Sequence, residues 1–135
     1  MKEILFRGKS IEDNKWVYGD LIREKKSFGK ICTRIYRTTN NGWELIDVDS
    51  KTVGQYTGLK DKNGTKIFEN DIVAYWDTYS TENGQSEADC IGKVVWDDET
   101  ISFQVTNRLS AESYEVLDEC SVIGNIYDNP ELLEE

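Results

Sequence analysis

The sequence predicts a mainly β protein: an antiparallel β-meander, then a small, strongly bent SH3-like barrel, then a short C-terminal helical turn. Apolar and polar residues alternate with a period of two in short segments along most of the chain. Turn sequences rich in Asn, Asp and Gly separate these segments, and helix-start signals gather near the carboxyl end. The 135 residues suit one domain or two small lobes. We therefore predict a meander lobe over residues 1–50 and a barrel lobe over residues 51–135, with separate cores or one shared core.

The first fifty residues contain four segments that alternate as strands do. These segments predict strands at residues 4–6, 15–22, 30–38 and 43–48. A polar turn at residues 12–14 separates the first two, and Asn40-Asn41-Gly42, whose residues accept left-handed backbone, separates the last two. Successive strands joined by short turns form a meander.

The second region begins with a glycine-centred hairpin. Asn63-Gly64 predicts a tight turn that pairs residues 59–60 with residues 65–68. Further strands are predicted at residues 71–76, 90–96, 100–106 and 121–127, with a long exposed hairpin loop or a mobile tip at 78–89. Residues 109–117 fit a helical turn and a short strand equally well. At the end of the chain, Asn129 can cap a helix, Pro130 suits its first position and Glu131 favours its positive end.

Composition excludes several classes of function. The chain has no histidine, which removes the commonest general base and the commonest transition-metal ligand. Cys32, Cys90 and Cys120 are isolated and odd in number, so we predict reduced, partly buried thiols and a structural role for Cys90. No segment reaches the roughly 20 apolar residues of a membrane span, and the leading residues lack a signal-peptide core. We predict a cytoplasmic protein that is not an enzyme and binds no cofactor and no membrane.

Charge is distributed unevenly along the chain. Residues 1–70 carry 14 Lys and Arg against 10 Asp and Glu, whereas residues 71–135 carry 2 against 16. The two halves could meet within one subunit, copies could pack basic face to acidic face, or each face could simply be solvated. The basic residues concentrate in one stretch, where a solvated hairpin and a partner-binding or phosphate-binding patch are alternatives. This stretch contains Arg23, Lys25, Lys26, Lys30, Arg34 and Arg37.

Three further groups of residues have a structural and a functional interpretation. The first is the tryptophans, which we expect in the core rather than on a stacking surface for bases or sugars; they are Trp16, Trp43, Trp76 and Trp96. The second is a set of carboxylates that suits solvated turns better than a hard-cation site; it comprises Glu69, Asp71, Asp97, Asp98 and Glu99. We expect Asp71 to accept backbone N–H bonds in the turn before its strand. The third is the glycines at 54, 58 and 64, whose spacing fits turns and no phosphate-binding motif.

Three segments resemble the YopX protein family. Residues 53–64, which read VGQYTGLKDKNG, match its signature, as do Asp71-Ile72-Val73 and residues 122–127, which read VIGNIY. The signature positions are Gly54, Tyr56, Gly58, Asn63, Gly64, Asp71, Gly124 and Asn125. Asn70 stands where the family's turn is expected to have glycine, and Asn is the next most tolerant of left-handed backbone. The resemblance implies a phage or prophage origin and a mostly β fold, and it transfers no catalytic residue.

Three hypotheses for function follow from these features. The first is an accessory protein that binds a host or phage protein and self-associates as a homo-oligomer. The second is an acidic DNA mimic that occupies a host enzyme acting on nucleic acid. The third, which the net charge of −10 disfavours, is direct nucleic-acid binding through residues 23–37. Metal-assisted hydrolysis is the one catalytic class that the side chains readily permit.

Overall fold

The computed structural model describes residues 3–106, 113–116 and 119–134, without the side chains of residues 77–81, 85–88 and 113–115. These residues form antiparallel sheets and one short C-terminal 3-10 helix, which confirms the predicted class. The strands are β1 (Phe6–Ser10), β2 (Trp16–Lys25), β3 (Ile31–Thr39), β4 (Gly42–Lys60), β5 (Lys66–Phe68), β6 (Asp71–Thr81), β7 (Gly84–Asp97), β8 (Ser102–Thr106), β9 (Ser113–Glu115) and β10 (Cys120–Asn125), and the 3-10 helix is Pro130–Leu133. In the part of the chain that the structure describes, no helix has the length and hydropathy of a membrane span.

Backbone contacts divide the chain into a first unit, residues 1–56, and a second unit, residues 57–135. In the first unit the meander closes into a ring, because the long strand β4 pairs with β3 and then returns to β1. Residues 42–47 of β4 face β3, and Val48 and Asp49 then face Ser10 and Lys9. The register shifts before Gly54 pairs with Arg7, and the hydroxyl of Thr52 accepts a hydrogen bond from the Lys9 N–H at 2.8 Å there.

A small apolar core fills the ring. Val17, Ile35 and Val48 are buried at its centre, and partly buried side chains pack around them. These surrounding residues are Phe6, Leu21, Ile46 and Val53. The turns that were predicted between the strands are confirmed, with Asn14 at a φ of 60° and Gly42 at a φ of 128°.

The second unit contains the β4–β5 hairpin and a sheet whose strand order is β10-β6-β7-β8-β9. Its core is larger than that of the ring and is built mainly from β-branched and aromatic side chains. The buried members are Ile67, Val73, Val94, Phe103, Val105, Val116 and Cys120. Glycine is required in the sheet at Gly92, where a β-carbon would lie 2.6 Å from a methyl group of Val105.

Residues 78–89 extend the two strands of a hairpin and are not the long hairpin loop or mobile tip that was predicted. The β6–β7 ladder continues through Thr78–Glu87 and ends at Thr81–Gly84, with a tight turn closed by Gly84 at a φ of 117°. Backbone pairing across an Asn-Gly turn needs no apolar side chains, so the polar composition of this segment misled the prediction. In the ambiguous segment 109–117, residues 113–115 form β9, while residues 109–112 and 117 lie outside the described residues.

Candidate functional site

The basic stretch lies on the β2–β3 hairpin, and acidic neighbours neutralise half of its cations. The Arg34 guanidinium pairs with the Asp47 carboxylate at 2.9 Å and approaches Glu24 at 3.9 Å. Two further salt bridges have the same form: Lys26 with Glu24 at 3.0 Å and Arg37 with Glu44 at 2.9 Å. A phosphate group bound to these three cations would have to replace their carboxylates.

Two pKa shifts accompany this pairing. The hydrogen bond from Lys26 and the positive charges of Lys26 and Arg34 lower the pKa of Glu24. The hydrogen bond to Asp47 and the charge of that carboxylate raise the pKa of Arg34. Arg23, Lys25 and Lys30 are exposed, and no salt bridge joins them to another of the described side chains. They are the members of the stretch whose charges remain available to a partner.

The prediction that the tryptophans lie in the core is wrong for three of the four. Trp43 is 63% exposed, Trp76 57% and Trp96 43%, and Trp16 is half-buried. Each of these three residues belongs to a strand whose side chains alternate between two faces. Its position in that alternation places the ring on the solvent face, while smaller β-branched residues fill the interior. Trp16 lies under the Arg7 guanidinium, 4.6 Å from the ring centroid, so its ring is covered by a cation.

An aromatic face is formed on the outer side of the β2–β3–β4 sheet in the first unit. It consists of Asp20, Tyr36, Thr38, Trp43 and Leu45. Register places Asp20 and Leu45 on either side of Tyr36, and Thr38 opposite Trp43, so these side chains share one surface. The rings of Tyr36 and Trp43 stack with centroids 6.0 Å apart and planes 27° apart. Ile35, the neighbour of Tyr36 in sequence, points inward and is fully buried.

A groove of about 530 Å³ opens in the first unit where β4 leaves β3. Ile31 and Thr33 of β3 line one side of it, and Val48 of β4 lines the other. Ile11, which is 68% exposed, lies at its rim. The paired charges of Arg34 and Asp47 are also part of the lining, so the groove combines apolar walls with neutralised polar groups.

In the second unit, Asp61 organises the signature turn. Its carboxylate accepts hydrogen bonds from the N–H groups of Asn63 at 2.9 Å and Thr65 at 2.9 Å, and from that of Val122 at 2.8 Å. Gly64 takes the left-handed backbone that was predicted, with a φ of 83°. Burial raises the pKa of Asp61, but the three N–H donors and the charge of Lys62 outweigh burial, so its pKa lies below its usual range. The turn is thereby tied to the start of β10.

The turn before β6 is arranged in a similar way. Asp71 is buried, and its carboxylate accepts a hydrogen bond from the Phe68 N–H at 2.7 Å, which confirms the predicted role of this aspartate. Asn70 has a φ of 73°, so it adopts the left-handed backbone expected at this departure from the family pattern. Its side-chain amide donates to the Tyr127 hydroxyl at 3.2 Å, which links this turn to the carboxyl end.

A third polar turn follows β10. The side-chain oxygen of Asn125 accepts hydrogen bonds from the N–H groups of Tyr127 and Asp128, each at 3.0 Å. The prediction that Asn129 caps the C-terminal helix is wrong for its side chain, which makes no capping hydrogen bond to the 3-10 helix. That side chain turns back and accepts a hydrogen bond from the Asn125 N–H at 3.3 Å, and a β-carbon at Gly124 would collide with it.

The carboxylates considered as a cation site lie in two turns. Glu69 and Asp71 flank the β5–β6 connection, and Asp97 to Glu99 form the β7–β8 turn, where Asp98 accepts a hydrogen bond from the Trp96 indole at 2.8 Å. Among the described residues, no group of three or more acidic or sulfur ligands is placed to hold a metal ion. None of the three cysteines forms a disulfide bond, and Cys120 is buried in the core of the second unit.

The roles of Asp61 and of the acidic partners Glu44 and Asp47 were not predicted from the sequence. A signal for each was present. Aspartate is favoured at the first position of a type I turn, which is where Asp61 stands in Asp61-Lys62-Asn63-Gly64. The turn before Gly42 fixes a register in which Arg37 faces Glu44 and Arg34 faces Asp47, so these pairs follow from the hairpin itself.

The fold and these sites define a small antiparallel β protein in which buried Asp and Asn side chains hold the turns and one sheet face carries exposed aromatic rings. The sequence model of the YopX protein family matches residues 5–134, and the chain belongs to that family. The crystal structure of protein EF1440 from Enterococcus faecalis is similar in fold, with a TM-score of 0.54. That protein is 23% identical, and the alignment covers 99% of this chain and 100% of the other. No match is found among curated proteins.

Proposed function

We propose that this protein is a non-enzymatic accessory protein of a phage or prophage, which acts in the cytoplasm of the host by binding another protein and which self-associates. The observation that carries the proposal is the solvent exposure of Trp43, Trp76 and Trp96, on strands where smaller residues fill the core. Exposed tryptophan and tyrosine rings are enriched at protein interfaces, where they contribute much of the binding energy.

Charge supports self-association. Residues 1–56 carry 11 Lys and Arg against 8 Asp and Glu, a net charge of +3, whereas residues 57–135 carry 5 against 18, a net charge of −13. Opposite net charges on the two units favour contact between the first unit of one copy and the second unit of another. Association of this kind weakens as salt screens the charges.

Size-exclusion chromatography with light scattering, at low and high salt, tests self-association. We expect a mass above that of the monomer at low salt and a smaller mass at high salt. A monomer at both salt concentrations would remove this part of the proposal. Partner binding is tested by capture from lysate of the native host with the wild-type chain and with a variant in which Trp43, Trp76 and Trp96 are all alanine. Proteins retained equally by both would contradict a role for the exposed rings.

A second candidate function, an acidic DNA mimic, is favoured by the net charge of −13 in residues 57–135. Carboxylates spaced along a surface can occupy a cationic nucleic-acid site in place of phosphates. The protein would then release a host DNA-binding enzyme from immobilised DNA, and the variant with Asp97→Asn, Asp98→Asn and Glu99→Gln would do so less effectively. Failure of the wild-type chain to release any such enzyme would contradict this candidate.

Direct nucleic-acid binding through residues 23–37 has weaker support. Lys26, Arg34 and Arg37 each pair with a carboxylate, which leaves Arg23, Lys25 and Lys30 for phosphate contacts. A gel shift at low salt with single-stranded and double-stranded DNA tests it. A complex that forms at low salt and is lost when Arg23, Lys25 and Lys30 are changed to glutamine would favour direct nucleic-acid binding over the protein-binding proposal.

A further inference from the structure

The aromatic face has the geometry of a peptide-binding surface. Tyr36 and Trp43 stand on adjacent strands with their planes 27° apart and their centroids 6.0 Å apart. Leu45, which is 42% exposed, lies directly across from Tyr36. Two rings and an aliphatic side chain on a rigid three-stranded sheet provide a preformed apolar surface, so little conformational entropy is lost when an extended chain binds there.

This surface suits a polyproline II helix. Such a helix has three residues per turn and makes no internal hydrogen bonds, and its proline rings present flat apolar faces. Proline-rich segments bind grooves lined by aromatic side chains because the segment is already ordered before it binds. Trp43 is the most exposed of the tryptophans, at 63%, so its ring is accessible for this contact.

Charge distinguishes a peptide from the other possible occupants. Asp20 is exposed directly beside Tyr36, whereas the cation on the next row, Arg34, is already paired with Asp47 at 2.9 Å. The charge available next to the rings is therefore negative. It repels the phosphates of a nucleic acid, and it would oppose a second copy that brought its own Asp20 to this face. It attracts a Lys or Arg in the ligand.

We infer that the aromatic face binds a proline-rich segment of a partner protein that carries a Lys or Arg, with the proline rings packed against Tyr36 and Trp43 and the cation beside Asp20. This inference rests on the proposed function, since it names the class of partner that the protein would bind. It assigns no role to Trp76 or Trp96, which lie in the second unit.

Fluorescence anisotropy with labelled synthetic peptides tests the inference on the full-length chain. Three peptides are compared: all-proline ending in arginine, all-proline ending in glutamate, and glycine-serine ending in arginine. We expect saturable binding of the proline-arginine peptide and weaker binding of the other two. Trp43→Ala should weaken binding by about tenfold or more, because it removes an aromatic contact and its apolar area. Asp20→Asn should weaken binding of the arginine peptide alone, by about two- to fivefold.

Phe28→Ala is the matched control, because Phe28 is an exposed aromatic residue of the same unit, at 76%, and lies between β2 and β3 outside the aromatic face. It should leave peptide affinity unchanged, and circular dichroism should show all variants folded. The inference is overturned if the proline-arginine peptide does not bind, if the glycine-serine peptide binds as tightly, or if Trp43→Ala and Phe28→Ala lose affinity equally. Tighter Trp43-dependent binding of a single-stranded oligonucleotide would also overturn it.

Failure of the inference can be separated from failure of the proposed function. Self-association in light scattering together with no peptide binding would overturn only the choice of partner. If that self-association also depended on Trp43, the occupant of the aromatic face would be a second copy. Peptide binding by a chain that stays monomeric would support the inference and remove the self-association from the proposal.

Discussion

The two units use their acidic side chains in opposite ways. In the first unit, Glu24, Glu44 and Asp47 lie on the sheet surface and pair with cations of neighbouring strands. In the second unit, Asp61 and Asp71 are buried and accept hydrogen bonds from backbone N–H groups. Water and salt weaken a surface pair, whereas a buried carboxylate that loses its donors leaves several polar groups without partners. Buried carboxylates therefore hold turns of the second unit, whereas Glu24, Glu44 and Asp47 modify the surface of the first.

This difference explains what the family signature reports. Six of its eight positions lie in the second unit, and two of these, Gly58 near the end of β4 and Gly64 in the turn that follows, have left-handed φ values of 93° and 83°. Asn125 is buried and holds the turn after β10. These residues identify a fold because they fix backbone conformations, and they therefore give no evidence of a reaction.

Removal of a carboxylate from each unit is the strongest test of the comparison. Asp61→Ala leaves three N–H groups without their acceptor and should lower the free energy of unfolding by about 3 kcal/mol. Glu44→Ala removes the surface partner of Arg37 and should cost less than about 1 kcal/mol. Urea denaturation measures both. Equal losses would show that the two units do not differ in this way.

Acid provides a smaller perturbation of the same carboxylate, since protonated Asp61 still keeps one acceptor oxygen. The folded pKa of Asp61 is lowered. The resulting stabilisation is therefore present above the unfolded value of about 3.9 and is lost as the pH falls through the folded pKa. Urea midpoints measured from pH 6 down to pH 2 should fall less steeply in Asp61→Asn than in the wild-type chain. Identical pH profiles would contradict this assignment.

Left-handed turns offer a third comparison, because each unit has, among its described residues, an asparagine at positive φ. Asn70→Ala should cost about 1 to 2 kcal/mol, since alanine is strained there and the hydrogen bond to Tyr127 is lost. Asn14→Ala, in the first unit, tests the backbone strain at a φ of 60° and should cost about 1 kcal/mol. Asn70→Gly should stay close to the wild-type stability. Thermal unfolding of the three variants measures these differences, and a large loss in Asn70→Gly would show that the side chain dominates.

The smallest effect is expected at Trp43. Because this ring is 63% exposed, Trp43→Ala should change the free energy of unfolding by no more than about 0.5 kcal/mol. A buried tryptophan would cost about 3 to 5 kcal/mol. Urea denaturation distinguishes the two, and a loss in the upper range would place the ring in the core and remove the aromatic face.

Local signals in the sequence predicted much of the fold. Three confirmed predictions depend on only a few adjacent residues each. They are the turn at Asn63-Gly64, the left-handed backbone of Asn70 and the hydrogen bond that Asp71 accepts from a backbone N–H. Return of β4 to β1 depends on pairing across about forty residues, which no local pattern specifies. The same holds for the bond between Asp61 and Val122, whose partners are 61 residues apart.

The candidate site was predicted less well, because alternation shows that a strand has two faces without showing which one is buried. Trp43 and Ile46 differ in parity, and the sequence favoured the larger ring for the interior. The core of the ring is instead small and is filled by Val17, Ile35 and Val48. The basic stretch was located correctly, but its acidic partners lie on the facing strand and become visible only once the hairpin register is known.

The reach of Asp61 to Val122 has a consequence for the order of events during synthesis. The hydrogen-bonded ring of the first unit is built within residues 1–56, so it can assemble while later residues are still being translated. By contrast, sixty-one more residues must be synthesised after Asp61 before the N–H group of Val122 can donate to its carboxylate. Completion of the second unit therefore depends on a late, long-range contact. In ribosome-bound chains arrested before residue 122, a protease should cleave the second unit while the ring of the first unit resists cleavage.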